Sequence, residues 1–133
     1  MSAHSYAAKL RLNAVAGLAL IGVVYFSAPV FIEFQKPQSL LLWSAFALAA
    51  AAALALSVYL LLDALLFRLL SSYENEEAGC IAVDRFLARA GLRRLPQASR
   101  PLHERMAGTN RLLNCQRAAL LVFLALFVFM AAA

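Results

Sequence analysis

LLLWSAFALAAAAALALSVYLLL, residues 40–62, decides the fold. These 23 residues carry no charge. A helix crosses the ~30 Å hydrocarbon layer with ~20 apolar residues at 1.5 Å rise each. The stretch is therefore long enough to cross a bilayer by itself. Two further apolar stretches, residues 14–32 and 118–133, stand on either side of it. Together the three fill most of a 133-residue chain that is 64% apolar with a mean hydropathy of +0.77. A soluble domain of this size has too much surface to hide so much apolar area. Lipid is the expected solvent, and the expected fold is an all-α integral membrane protein with three transmembrane helices.

Working outward gives the organisation. Residues 1–11 are expected to be a polar N-terminus and 12–33 the first span. Residues 34–39 read as a short turn, 40–68 as the second span, 69–111 as a basic helical segment and 112–133 as the third span. The apolar part of the third span is 16 residues, ~24 Å, short of a full crossing unless residues ahead of Ala118 extend it. Lys9 and Arg11 before an apolar run have the form of a secretory signal, but a cleavage site is missing. Ala28 has Phe26 at −3 and Pro29 behind it, so an uncleaved anchor is expected.

Arginine and lysine concentrate on the side of a membrane that stays in the cytoplasm. Lys9 and Arg11 precede the first span, and nine arginines lie between Arg68 and Arg117. The N-terminus and the long segment should share the cytoplasmic side, with the 34–39 turn and the C-terminus in the periplasm. Ten arginines against two lysines, with abundant alanine, fit the composition of a GC-rich bacterial genome, and the expected location is a bacterial inner membrane. Tyr25, Phe26, Phe31, Phe34, Trp43 and Phe46 gather about the turn, where aromatic rings favour the headgroup level.

Within the long segment, Ser71 and Glu74 have capping-box spacing. A helix is expected to follow, with Cys80, Val83, Phe86, Leu87 and Ala90 on one face and Asp84, Arg85, Ala88 and Arg89 on the other. Gly91 is a candidate C-cap. Residues 92–100, with Pro96, read as a loop, and Ser99 as a cap for a helix near Pro101. That helix is expected to pause at Gly108, Thr109 and Asn110 before the third span. An arginine-rich amphipathic helix of this kind, carrying Val83, Arg85, Phe86, Leu87 and Arg89, suits a headgroup layer or an acidic partner.

Two features of the second span point to contacts. Ala45, Ala49, Ala53 and Ser57 recur every four residues, and Ala47, Ala51 and Ala55 make a second row. Small side chains let membrane helices approach closely. The first row is expected to pack on the first helix, aided by Gly17 and Gly22, or to dock a partner helix. Asp63 follows the uncharged run, and a carboxylate there wants a partner. Counting equal distances from a turn near Lys36 places Arg11 opposite it, with Asn13 as a neighbouring donor.

Motifs for chemistry are scarce. His4 and His103 lie outside the apolar stretches, so membrane haem ligation is not expected. Cys80 and Cys115 lack metal-ligand spacing. No G-x-S-x-G elbow or phosphate-cradling glycine loop occurs, and no nucleic-acid-binding pattern accompanies the arginines. No catalytic, metal or cofactor residue is assigned. The expected function is non-enzymatic: an accessory or assembly subunit acting through helix contacts, with the lipid bilayer and a membrane protein or a second copy as partners. An immunity or exclusion protein belongs to the same interaction class. The rival class is a small homo-oligomeric transporter or channel using Asp63.

Overall fold

A computed structural model describes residues 3–31, 38–91 and 101–132. Four helices follow one another among the described residues: α1 (Ala3–Phe31), α2 (Gln38–Ser71), α3 (Glu76–Arg89) and α4 (Leu102–Ala132). Three of them, α1, α2 and α4, are long and apolar enough to cross a membrane. At 29, 34 and 31 residues they measure about 44, 51 and 46 Å, more than the ~30 Å hydrocarbon layer requires.

α2 is the central helix, with α1, α3 and α4 laid against it. The buried positions explain the arrangement. The seam positions on α1 are Ala7, Leu10, Ala14, Gly17, Ile21, Val24 and Ala28, with Tyr6 buried beside them. Those on α2 are Phe46, Ala50, Ala53, Ser57, Leu60, Ala64 and Phe67, with Leu70 buried beyond them. On α4, Thr109, Leu113, Gln116, Phe123 and Met130 are buried, with Met106, Leu120 and Phe127 half-buried between them. Each set alternates steps of three and four residues. That 3.5-residue average is the repeat of helices packed as in a coiled coil.

This repeat corrects the expected alanine face. Ala53 and Ser57 lie on the seam, whereas Ala45 and Ala49 are only half-buried on its flank. A strict four-residue row turns 40° per step on a helix of 100° per residue, so it drifts off the seam. In the second row, Ala51 and Ala55 face outward.

Other expectations change at the helix ends. α1 begins at Ala3, so most of residues 1–11 are helical, and Tyr6, Ala7 and Leu10 are core. Pro29 sits in the last turn of α1 without ending the helix before Phe31. Phe46 is fully buried, stacked on Phe123 at 4.8 Å and on Tyr25 at 5.9 Å, and belongs to the core rather than to an interfacial belt. α2 runs on to Ser71, so Ser71 cannot cap the next helix. The N-cap of α3 is Asn75, whose Oδ1 accepts from the Glu77 N–H at 3.1 Å. Gly91, with φ 69°, follows the last turn of α3, as a C-terminal glycine should.

The pause expected at residues 108–110 is absent, because α4 is continuous through them. Thr109 and Asn110 are weak helix formers, but both side chains bond to other helices, and tertiary contact overrides propensity. The continuity also supplies the length that residues 118–133 lack. The turn near Lys36, the ring of Phe34, the 92–100 loop and the Ser99 cap lie outside the described residues.

Candidate functional site

At one end of the bundle the described core is apolar. Ile21, Val24, Ala28, Phe46, Ala50, Ala53, Phe123 and Met130 form one contiguous cluster there. Polar chemistry begins where Gly17, Ser57 and Gln116 meet, one residue from each long helix. Gln116 Nε2 donates to Ser57 Oγ at 2.9 Å, and Ser57 Oγ donates to its own helix at Ala53 O, 2.8 Å. A Cβ at Gly17 would stand 2.5 Å from Gln116 Nε2, so glycine is what admits the glutamine.

Nearer the charged end, Asp63 accepts a hydrogen bond from Thr109 Oγ1 at 2.8 Å. Tyr6 Oη donates to Asn110 Oδ1 at 2.7 Å and lies 3.1 Å from Met106 O, while its ring meets Phe67 edge-on at 5.0 Å. Beyond these, Arg105 Nη2 holds Asp84 Oδ1 at 2.7 Å in a nearly buried ion pair. Asp84 Oδ2 is buried without a hydrogen bond among the described residues. α4 thus offers a polar side chain to each neighbour in turn: Gln116 and Thr109 to α2, Asn110 to α1, Arg105 to α3.

The expected Asp63–Arg11 pair does not form. Arg11 is exposed, one residue round the helix from the fully buried Leu10. Equal distance from the turn would pair them only if α1 were the sole neighbour of α2; α4 lies on the Asp63 face, and Thr109 takes the carboxylate. Asn13 donates to Lys9 O within α1, at 2.8 Å, and not to Asp63.

α3 is amphipathic, with a different division from the expected one. Cys80, Val83 and Asp84 are buried, Leu87 is half-buried, and Phe86 joins Arg85 and Arg89 on the exposed face. Asp84 is tolerated inside because Arg105 neutralises it. Gly79 lets α3 lie on the end of α2: a Cβ there would be 2.9 Å from the Leu70 carbonyl oxygen. Burial pushes the Cys80 thiol above its ordinary value, Glu76 and Asp84 add to this, and Arg105 opposes it.

Between α2, α3 and α4 lies a pocket of ≈ 360 Å³. Asp63, Thr109, Glu104 and Arg105 supply its polar groups, Leu66, Phe67 and Leu112 part of its apolar wall. This is the candidate site: an acid-bearing pocket at the charged end of the bundle. Among the described residues, no three His, Cys, Asp or Glu side chains stand close enough to share a metal ion. Of the pocket's polar residues, the sequence pattern singles out only Asp63. Thr109 and Gln116 carried a usable signal, since both fall on the three-four repeat of α4 beside Leu113 and Phe123.

Compared with known proteins, the chain matches no family model, no curated protein and no solved structure.

Proposed function

We propose that the chain is a non-enzymatic bacterial inner-membrane protein, an accessory or assembly subunit of a larger membrane complex. Its N-terminus and α3 face the cytoplasm, and its C-terminus faces the periplasm. The arginine distribution supports this orientation. The small-residue seam is occupied by the chain's own helices, so partners must use other surfaces.

The observation that carries the reading is the build of α3. Gly79 and the Asp84–Arg105 pair fix it to the bundle, yet Phe86 is 53% and Ile81 44% exposed, beside exposed Arg85 and Arg89. Round the helix, Arg85 and Arg89 fall between Ile81 and Phe86, which are about 140° apart, so α3 presents an arginine stripe flanked by apolar side chains, a surface that favours an acidic cytoplasmic partner. The transporter reading has less support. Asp63 is close to the charged end, and the described interior beyond Gln116 is apolar, so a single copy offers no polar lane across the membrane.

The test is extraction at native expression in mild detergent, comparing wild type with Phe86→Glu/Arg85→Glu. The reading expects a heteromeric complex that the double variant loses while its own helix content stays unchanged. A homo-oligomer or a monomer in the wild type would overturn it, and a homo-oligomer would make Asp63 flux assays the next step.

A further inference from the structure

Asp63 is a carboxylate that the bundle does not neutralise. Among the described residues its hydrogen bond comes from Thr109, and no lysine or arginine is within ion-pair reach. Glu104 lines the same pocket, and Arg105, the pocket's cation, is engaged by Asp84. Two acids therefore face a cavity whose base already has a partner. A partly buried carboxylate at the edge of an apolar span is costly unless a cation accompanies it. The cavity, ≈ 360 Å³ with leucine and phenylalanine walls, is within the size range of ligand sites. Gly108 lines it, and a Cβ there would meet nothing within 4 Å, so this wall has room for a side chain.

The position of the pocket selects the kind of cation. Asp63 directly follows 23 uncharged residues of α2, and Leu112 lies one to two turns before the apolar run of α4. The opening is therefore level with the border between hydrocarbon and headgroups. Arg111, exposed and without a described partner, is three residues after Gly108 and next to Leu112, so helix geometry puts it on the rim. Acid inside and base at the rim mirror the ammonium and phosphate of a zwitterionic headgroup.

We propose that this pocket binds the primary ammonium of an aminophospholipid, held by Asp63 and Glu104, with Arg111 meeting the lipid phosphate. The site is independent of the contact patch on α3, so its failure leaves the partner reading standing.

Native mass spectrometry of the full-length protein in detergent tests it, with phosphatidylethanolamine, phosphatidylglycerol and dodecylamine added at equal concentration. Retention of phosphatidylethanolamine is expected to exceed that of phosphatidylglycerol about tenfold, and Asp63→Asn to remove most of that preference. Gly108→Phe fills the cavity, keeps every charge and should remove binding too. That variant decides alone if Asp63→Asn does not fold. Equal retention of the two lipids, or unchanged binding in Gly108→Phe, overturns the proposal. Binding of dodecylamine without phosphatidylethanolamine overturns the lipid source and points to a soluble amine.

Discussion

Gly17 lacks a side chain where Gln116 and Ser57 fill the space that one would need. Gly17→Leu is therefore expected to force α1 and α4 apart and to cost about 1–3 kcal/mol, the usual range for overpacking. Gly22→Ala is the control, because a Cβ there meets nothing within 4 Å. Reversible unfolding in mixed detergent micelles measures both, and equal stability of the two variants would refute the close approach at Gly17. Cys80 gives a second prediction at this scale. Burial raises its folded pKa above the ordinary 9.0. Above the unfolded value the unfolded thiol has lost a proton that the folded one keeps. Its contribution to stability is thus complete below about pH 9 and lost as pH rises through the folded value. The melting temperature should fall between pH 8 and pH 10, and Cys80→Ala should fall less. Thermal melts across that range check it. Gly17 was legible as a packing glycine and Cys80 as part of an apolar face, but the Gln116 contact of the one and the charged neighbours of the other were not. A glycine in an apolar run and a cysteine in an amphipathic run look alike whether they touch something or not.

The helices themselves were legible, because apolar length and composition report lipid directly. Their inner faces were less so. Steps of four picked out Ala53 and Ser57 correctly but also Ala45 and Ala49, and the three-four repeat that places Phe46, Ala50 and Leu60 inside was hidden among so many apolar residues. α3 shows the same limit from the polar side. Asp84 looked solvent-facing because a carboxylate is rarely buried, and its partner Arg105 lies 21 positions away. The pair exposes only 12% and 4% of its side chains, so solvent screens it little. Arg105→Met, which strands Asp84, is expected to cost about 3–5 kcal/mol, while Asp84→Leu with Arg105→Met should recover most of that. The orphan Asp84 Oδ2 favours such recovery, since an ion pair with an unsatisfied oxygen is a weak stabiliser. A double-mutant unfolding cycle reads the coupling, and additive losses would show that the ion pair is not what holds α3.

At the scale of the molecule, chemistry divides the bundle by depth. Toward one end the described core is packed with Phe46, Phe123 and their apolar neighbours. The other joins its helices through Ser57–Gln116, Asp63–Thr109, Tyr6–Asn110 and Asp84–Arg105. Composition foretold the membrane, but the polar pairs needed the fold, because each joins residues more than twenty positions apart. The central claim is that α4 crosses the bilayer and leaves α3 and Ala132 on opposite sides. Single-cysteine labelling in intact cells tests it most directly, with Cys80 and Cys115 replaced and a cysteine placed at Arg89→Cys or at Ala132→Cys. The account predicts that a membrane-impermeant maleimide reaches Ala132→Cys in intact cells and Arg89→Cys only after the membrane is opened. Labelling of both from the same side would contradict it.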